Sequence, residues 1–159
     1  MLASHRLAVR GATATSAGDT AVTVFSVAPE YGDPPDATLV AADLRRMLEG
    51  RLDVEDRLER RARAVRSPGA SAPPPKVTLI DGASRSATVV EVRAHDEPGL
   101  LWRIGRALGE CGLVVRAARV ETLGAEVVDV FYVTDSAGGL LTDPDLRRRT
   151  VTTVLAALS

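Results

Sequence analysis

The sequence predicts an α+β protein: an antiparallel sheet with helices on one face, built as a short ββα unit followed by a complete ββαββα unit. Three observations predict this. The first is an internal repeat. Leu7-Ala8-Val9-Arg10-Gly11-Ala12 lines up with Leu113-Val114-Val115-Arg116-Ala117-Ala118, and without a gap Val22-Thr23-Val24-Phe25-Ser26-Val27 then lines up with Val128-Asp129-Val130-Phe131-Tyr132-Val133. The second is a change of period around His95. The alternating run Thr88-Val89-Val90-Glu91-Val92-Arg93-Ala94 gives way to apolar residues at helical spacing: Leu100, Leu101, Ile104, Ala107, Leu108 and Cys111. The third is the run Lys76-Val77-Thr78-Leu79-Ile80, which Asp81-Gly82 turns back towards the strand at Thr88.

Bulk properties narrow the function classes. A chain of 159 residues holds one ordinary domain or two small ones, and 45% hydrophobic with 26% charged residues describes a soluble globular protein. A net charge of -1 and 3% aromatic residues give no basis for a nucleic-acid or anionic-membrane partner. No window approaches the ~18 apolar residues of a membrane span, and no apolar core follows Met1 to make a signal peptide. Cys111 is the only cysteine, so no internal disulfide is possible, and a reducing, cytoplasmic setting is expected.

In chain order, residues 1–50 are expected to be the shorter copy. Its two strands are joined at Ser16-Ala17-Gly18-Asp19, and Asp33-Pro34-Pro35-Asp36 opens a helix with Leu39, Val40, Leu44, Met47 and Leu48 on one side. Asp36 onward is matched with Asp145 onward. The leading strand and most of the first helix have no counterpart here. The chain therefore reads as the C-terminal part of a longer protein, with Met1 an internal methionine or a misplaced start, and with an unpaired strand edge. Residues 51–75 are expected to be a charged helical extension, with Leu52, Leu58, Ala62 and Val65 as a thin apolar stripe on a solvated face, and then a Pro/Ser/Ala linker.

Residues 76–159 are expected to form the complete copy. After the strand and helix around His95, a hairpin turns at Leu123-Gly124-Ala125, and Val127, Asp129, Phe131 and Val133 share one face of its second strand. Asp143 caps a final helix with Pro144 at its first position, and Leu146, Thr150, Val151, Val154, Ala157 and Leu158 line one side. Two helices on one face of four antiparallel strands make the ferredoxin-like architecture, with residues 76–80 filling the edge that a closing strand would otherwise take.

The corner His95-Asp96-Glu97-Pro98-Gly99-Leu100-Leu101 is the candidate site. Asp96 can cap the following N–H groups, and Pro98 suits the first helical turn. Gly99 permits close approach, and a helix start with free N–H groups takes a carboxylate. Plainer readings stand beside this one. Asp96 serves equally as a cap alone, His95 as an exposed edge residue, and Trp102 as a half-exposed surface aromatic. Cys111 reads as packing, and Glu121 and Asp129 as ordinary cross-strand polar contacts. Arg116 and Arg119 fall on opposite faces, which disfavours a shared anion site.

Asp96-Glu97-Pro98-Gly99-Leu100-Leu101 resembles the Asp-x-Pro-Gly-Leu-Leu signature that opens ACT domains. With the Asp129-Val130-Phe131-Tyr132-Val133 strand and the tandem repeat, the chain resembles the C-terminal ACT pair of bifunctional PII uridylyltransferase/uridylyl-removing enzymes of actinobacterial type. The resemblance implies a regulatory module that senses glutamine through Asp96, Pro98, Gly99, Leu100 and Leu101. It also implies ACT–ACT pairing or a homo-oligomer, and a PII signal protein as the parent enzyme's partner. Catalytic domains, which would use Mg2+, lie elsewhere in such enzymes. No nucleotidyltransferase, metal-hydrolase or phosphate-loop motif occurs in this sequence. No catalytic residue, metal site or cofactor is expected here, the alternative being an interaction module without a ligand.

Overall fold

The computed structural model describes residues 2–17, 20–53, 56–58, 60, 73–123 and 126–158. Parts of four expectations lie outside these: the hairpin tips at Gly18-Asp19 and Gly124-Ala125, residues 61–66 of the charged extension, and residues 67–72 of the linker.

After a 3-10 turn at Leu2–His5 the described elements are β1 (Leu7–Ala17), β2 (Thr20–Pro29), α1 (Ala37–Leu48), β3 (Lys76–Ile80), β4 (Thr88–His95), α2 (Leu100–Glu110), β5 (Val114–Leu123), β6 (Glu126–Thr134) and α3 (Pro144–Ala157). The strands form one six-stranded sheet in the order β2-β1-β5-β6-β4-β3, and every pairing is antiparallel. The strand at 76–80 takes the outer edge beside β4, as its sequence predicts.

The repeat extends to backbone detail. The β1–β2 register shifts between Val9 and Gly11, which passes over Arg10. The β5–β6 register shifts between Val115 and Ala117, which passes over Arg116, the residue aligned with Arg10. The two copies meet through β1 and β5, with Ala12 opposite Val120, Thr13 opposite Arg119 and Ala14 opposite Ala118. Thr13 and Arg119 are equivalent positions of the repeat, so this junction is a local two-fold. The unpaired edge expected of the shorter copy lies on β2, whose outer side has no strand partner among the described residues, where the second copy has β4 beside β6.

The core lies on one face of the second copy. Val90, Val92 and Ala94 of β4 and Val127, Phe131 and Val133 of β6 meet Leu100, Ile104, Ala107 and Leu108 of α2 and Val154 of α3. Each such side chain contributes roughly 1.5–3 kcal/mol before conformational entropy is subtracted. The strand alternation and the helix period both converge on this layer, so the local patterns agree with the global packing.

The first copy differs. α1 buries none of its residues, and the stripe expected to pack leaves Leu39, Leu44 and Leu48 exposed. Its N-cap is Asp36, whose carboxylate accepts from the Thr38 N–H at 2.8 Å. Pro34 and Pro35 therefore precede the cap. Cap for cap, Asp36 matches Asp143 rather than Asp145. Polar contacts join α1 to its neighbours instead: the Asp43 carboxylate lies 3.2 Å from His5 Nε2 and 3.4 Å from the Arg57 guanidinium. No described helix is long and apolar enough to cross a membrane.

Candidate functional site

β4 and α2 place the expected corner at one end of the sheet. The backbone leaves β4 at His95, turns through Pro98 and Gly99, and enters α2 at Leu100. Gly99 is the N-cap residue with φ of 83°, a left-handed conformation that disfavours any residue with a Cβ. Two expectations are corrected here. Asp96 does not cap α2, because the αL turn at Gly99 sets the helix start three residues beyond it. Pro98 lies before the helix, not in its first turn.

Among the described residues α2 has no side-chain cap. Its first turn is tied only by the Leu100 N–H to the Glu97 carbonyl and the Arg103 N–H to the Gly99 carbonyl. The amides of Leu101 and Trp102 are the ones left to point out of such a helix start. Arg103 bonds the Glu97 carboxylate across the turn at 2.9 Å, while its Nε is buried without a partner among the described residues.

The first copy faces this corner. Asp96 is exposed as a residue, yet partial desolvation at the corner raises its carboxyl above its usual range; the Arg10 guanidinium and then His95 pull it down, and Glu30 and Glu97 push it up. Arg10 is the bulge residue of β1, and a bulge re-aims a side chain relative to its strand. Neither Arg10 nor Glu30 was apparent as a site residue from the sequence. The signal for Arg10 was its identity with Arg116 in the repeat.

Leu58, by contrast, covers the corner. A Cβ placed on Gly99 would meet Leu58 Cδ1 at 3.4 Å. Leu58 is only 4% exposed, so the solvated face expected for its segment does not include it. A hollow of about 260 Å3 opens at the other end of β4 from this corner, lined by Asp81, Thr88, Leu141 and Arg147 among others.

Asp129 departs furthest from expectation. It is 1% exposed, on the helix side of β6 between Val127 and Phe131, opposite Val92 and Val120. Burial, then the Asp96 charge, push its carboxyl up to about 7, against a backbone N–H donated by Glu121. It is thus no ordinary cross-strand contact. The signal was a lone carboxylate in the alternation Val127, Phe131, Val133. Of the remaining expectations, His95 is exposed, Cys111 is buried in the core and Trp102 is half-buried. The Arg106 guanidinium lies 5.5 Å from the Trp102 ring centre. No group of three or more His, Cys, Asp or Glu suited to a metal occurs among the described residues.

Residues 88–149 match the ACT domain family. The chain is 49% identical over 146 residues to the bifunctional uridylyltransferase/uridylyl-removing enzyme of Streptomyces coelicolor, covering 87% of this chain and 18% of that protein. The enzyme of the same name from Gluconobacter oxydans is 38% identical over 120 residues, covering 70% of this chain and 12% of that protein. The one from Pseudomonas putida strain W619 is 46% identical over 76 residues, covering 48% and 8%. The chain thus spans less than a fifth of the length of these curated relatives. Residues 88–149 belong to the ACT domain family, in a chain similar over most of its length to part of the uridylyltransferase/uridylyl-removing enzymes.

Proposed function

We propose that this chain is a regulatory amino-acid-sensing module, with glutamine as its ligand, acting within a cytoplasmic uridylyltransferase/uridylyl-removing enzyme that modifies a PII signal protein. Residues 76–159 are read as one complete ferredoxin-like ACT domain, residues 1–50 as a shorter ACT copy, and residues 51–75 as the connection. One observation supports the reading: the edge-to-edge junction of β1 and β5 brings the charge of Arg10 in the first copy within electrostatic reach of Asp96 in the second, near the uncapped start of α2. A free amino acid carries one carboxylate and one ammonium. The amides of Leu101 and Trp102, with Arg10, suit the carboxylate; Asp96 suits the ammonium. A ligand that touches both copies binds one docking of them better than another, and such differential contact is what lets binding reach a distant catalytic domain.

Calorimetry with glutamine tests this. Binding is expected in the wild-type chain, weakened by Asp96→Ala and by Gly99→Arg, and tightened by Leu58→Ala, which uncovers Gly99. A folded wild-type chain that gives no heat with any amino acid sinks the sensing reading. A second reading then stands, that of a ligand-free interaction module. The pairing of β1 with β5 and the cover of Leu58 over Gly99 favour it.

A further inference from the structure

We propose that Asp129 is a ligand-binding residue of this site: with Asp96, it receives the primary ammonium of the bound amino acid from the interior side of the sheet, an assignment that rests on the sensing reading above.

Four polar side chains are buried among the described residues: Thr88, Asp129, Thr134 and Thr150. Three are accounted for by the fold. Thr88 Oγ1 accepts from the Leu141 N–H at 2.9 Å, Thr134 Oγ1 from Arg116 Nε at 3.2 Å, and Thr150 Oγ1 donates to the Leu146 carbonyl at 2.8 Å. Asp129 is not. The Glu121 N–H reaches its carboxylate, but Oδ1 is buried with no partner among the described residues. A buried carboxylate oxygen without a donor is costly, and its persistence needs an explanation.

The surroundings say what the missing donor is. Val92, Val120, Val127 and Phe131 flank Asp129 and offer none. The charge that acts on it is that of Asp96, and Arg10, His95, Glu30 and Glu97 act on Asp96 in turn, with Arg103 bound to Glu97. Two carboxylates that repel each other are relieved by a cation between them. A divalent metal is disfavoured because the described residues group no third ligand of the right kind with the pair. A primary ammonium suits the pair: it has three donors and a single charge, and it arrives on the same molecule whose carboxylate the α2 amides can take. In the first copy, the position aligned with Asp129 holds Thr23, which is exposed. Among the described residues the buried carboxylate therefore occurs in the second copy and not at the equivalent place in the first.

The full chain is titrated with glutamine and with N-acetylglutamine, which lacks the ammonium, at pH 6, 7 and 8. Glutamine is expected to bind once per chain, with affinity rising about tenfold from pH 6 to 8 and protons released below pH 7, as the Asp129 carboxyl ionises to meet the ammonium. N-acetylglutamine is expected not to bind. Asp129→Asn should weaken glutamine by about tenfold or more and flatten its pH slope; that variant separates the slope from any part His95 has in it. Wild-type binding of glutamine with an Asp129→Asn variant of equal affinity and equal slope removes Asp129 while sensing stands. Absence of all amino-acid binding removes both. Should Asp129→Asn not fold, the wild-type comparison still decides: a flat pH profile, or N-acetylglutamine binding as well as glutamine, overturns the assignment.

Discussion

In the second copy α2 lays Leu100, Ile104, Ala107 and Leu108 on the sheet and α3 adds Thr150 and Val154. In the first, almost all of β2 is exposed and α1 buries nothing. Yet β1–β2 and β5–β6 share a register and a bulge. Equal strand chemistry therefore yields equal pairing but not equal packing, because packing needs the β-α element that β4 and α2 supply only once. Phe25 shows this in one residue. It is 41% exposed, while Phe131, its equivalent in the repeat, is 4% exposed and in the core.

The largest expected effect tests that contrast directly. Ile104→Ala empties a fully buried site and should cost about 2–5 kcal/mol in denaturant unfolding. Leu44→Ala, on the apolar side of α1, should cost less than about 0.5 kcal/mol. Comparable losses at the two positions would mean that α1 is docked after all.

Much of this was legible beforehand. The β4-α2 corner, the edge strand at 76–80, the Asp143-Pro144 cap and the apolar face of α2 all follow from period and turn chemistry, which are local. What was not legible is relational. Asp96 looked like a cap because it stands close before a helical pattern; the αL turn at Gly99 moved the helix start out of its reach. Leu58 looked solvated because its neighbours are charged, and no local pattern points it at a glycine far along the chain. Arg10 comes within electrostatic reach of Asp96 through the junction of β1 with β5, a pairing between segments that nothing in either strand alone specifies.

A second, smaller effect sets Asp129 against Thr23 through pH. The folded Asp129 carboxyl titrates at about 7, well above the ~3.9 of an unfolded chain. Between these values the native state holds a proton that the unfolded state has lost, so stability falls as pH rises through this window and levels off above pH 7. Without ligand, Asp129→Asn should thus be more stable than wild type at pH 8, by about 2 kcal/mol, with the gap closing towards pH 4. Thr23→Asn, at the exposed counterpart, should show no such dependence. Thermal unfolding at several pH values measures both. A gap that widens on acidification would mean that the fold favours the ionised carboxylate, and would overturn the raised titration of Asp129.

The smallest effect uses one piece of cap chemistry twice. Asp143 accepts from the Asp145 N–H at 2.9 Å and Asp36 from the Thr38 N–H at 2.8 Å. As isolated helix starts the two are equivalent. Their consequences differ because α3 is coupled to the core through Thr150 and Val154, whereas α1 buries none of its residues and meets His5 and Arg57 through Asp43. Asp143→Ala should therefore lower global stability by about 1 kcal/mol. Asp36→Ala should reduce helical circular dichroism while leaving the global midpoint in place, since a helix that opens on its own does not report on the cooperative unit. An Asp36→Ala midpoint shift equal to that of Asp143→Ala would show that the first copy unfolds together with the second. The exposed stripe of α1 would then need another account of what holds it.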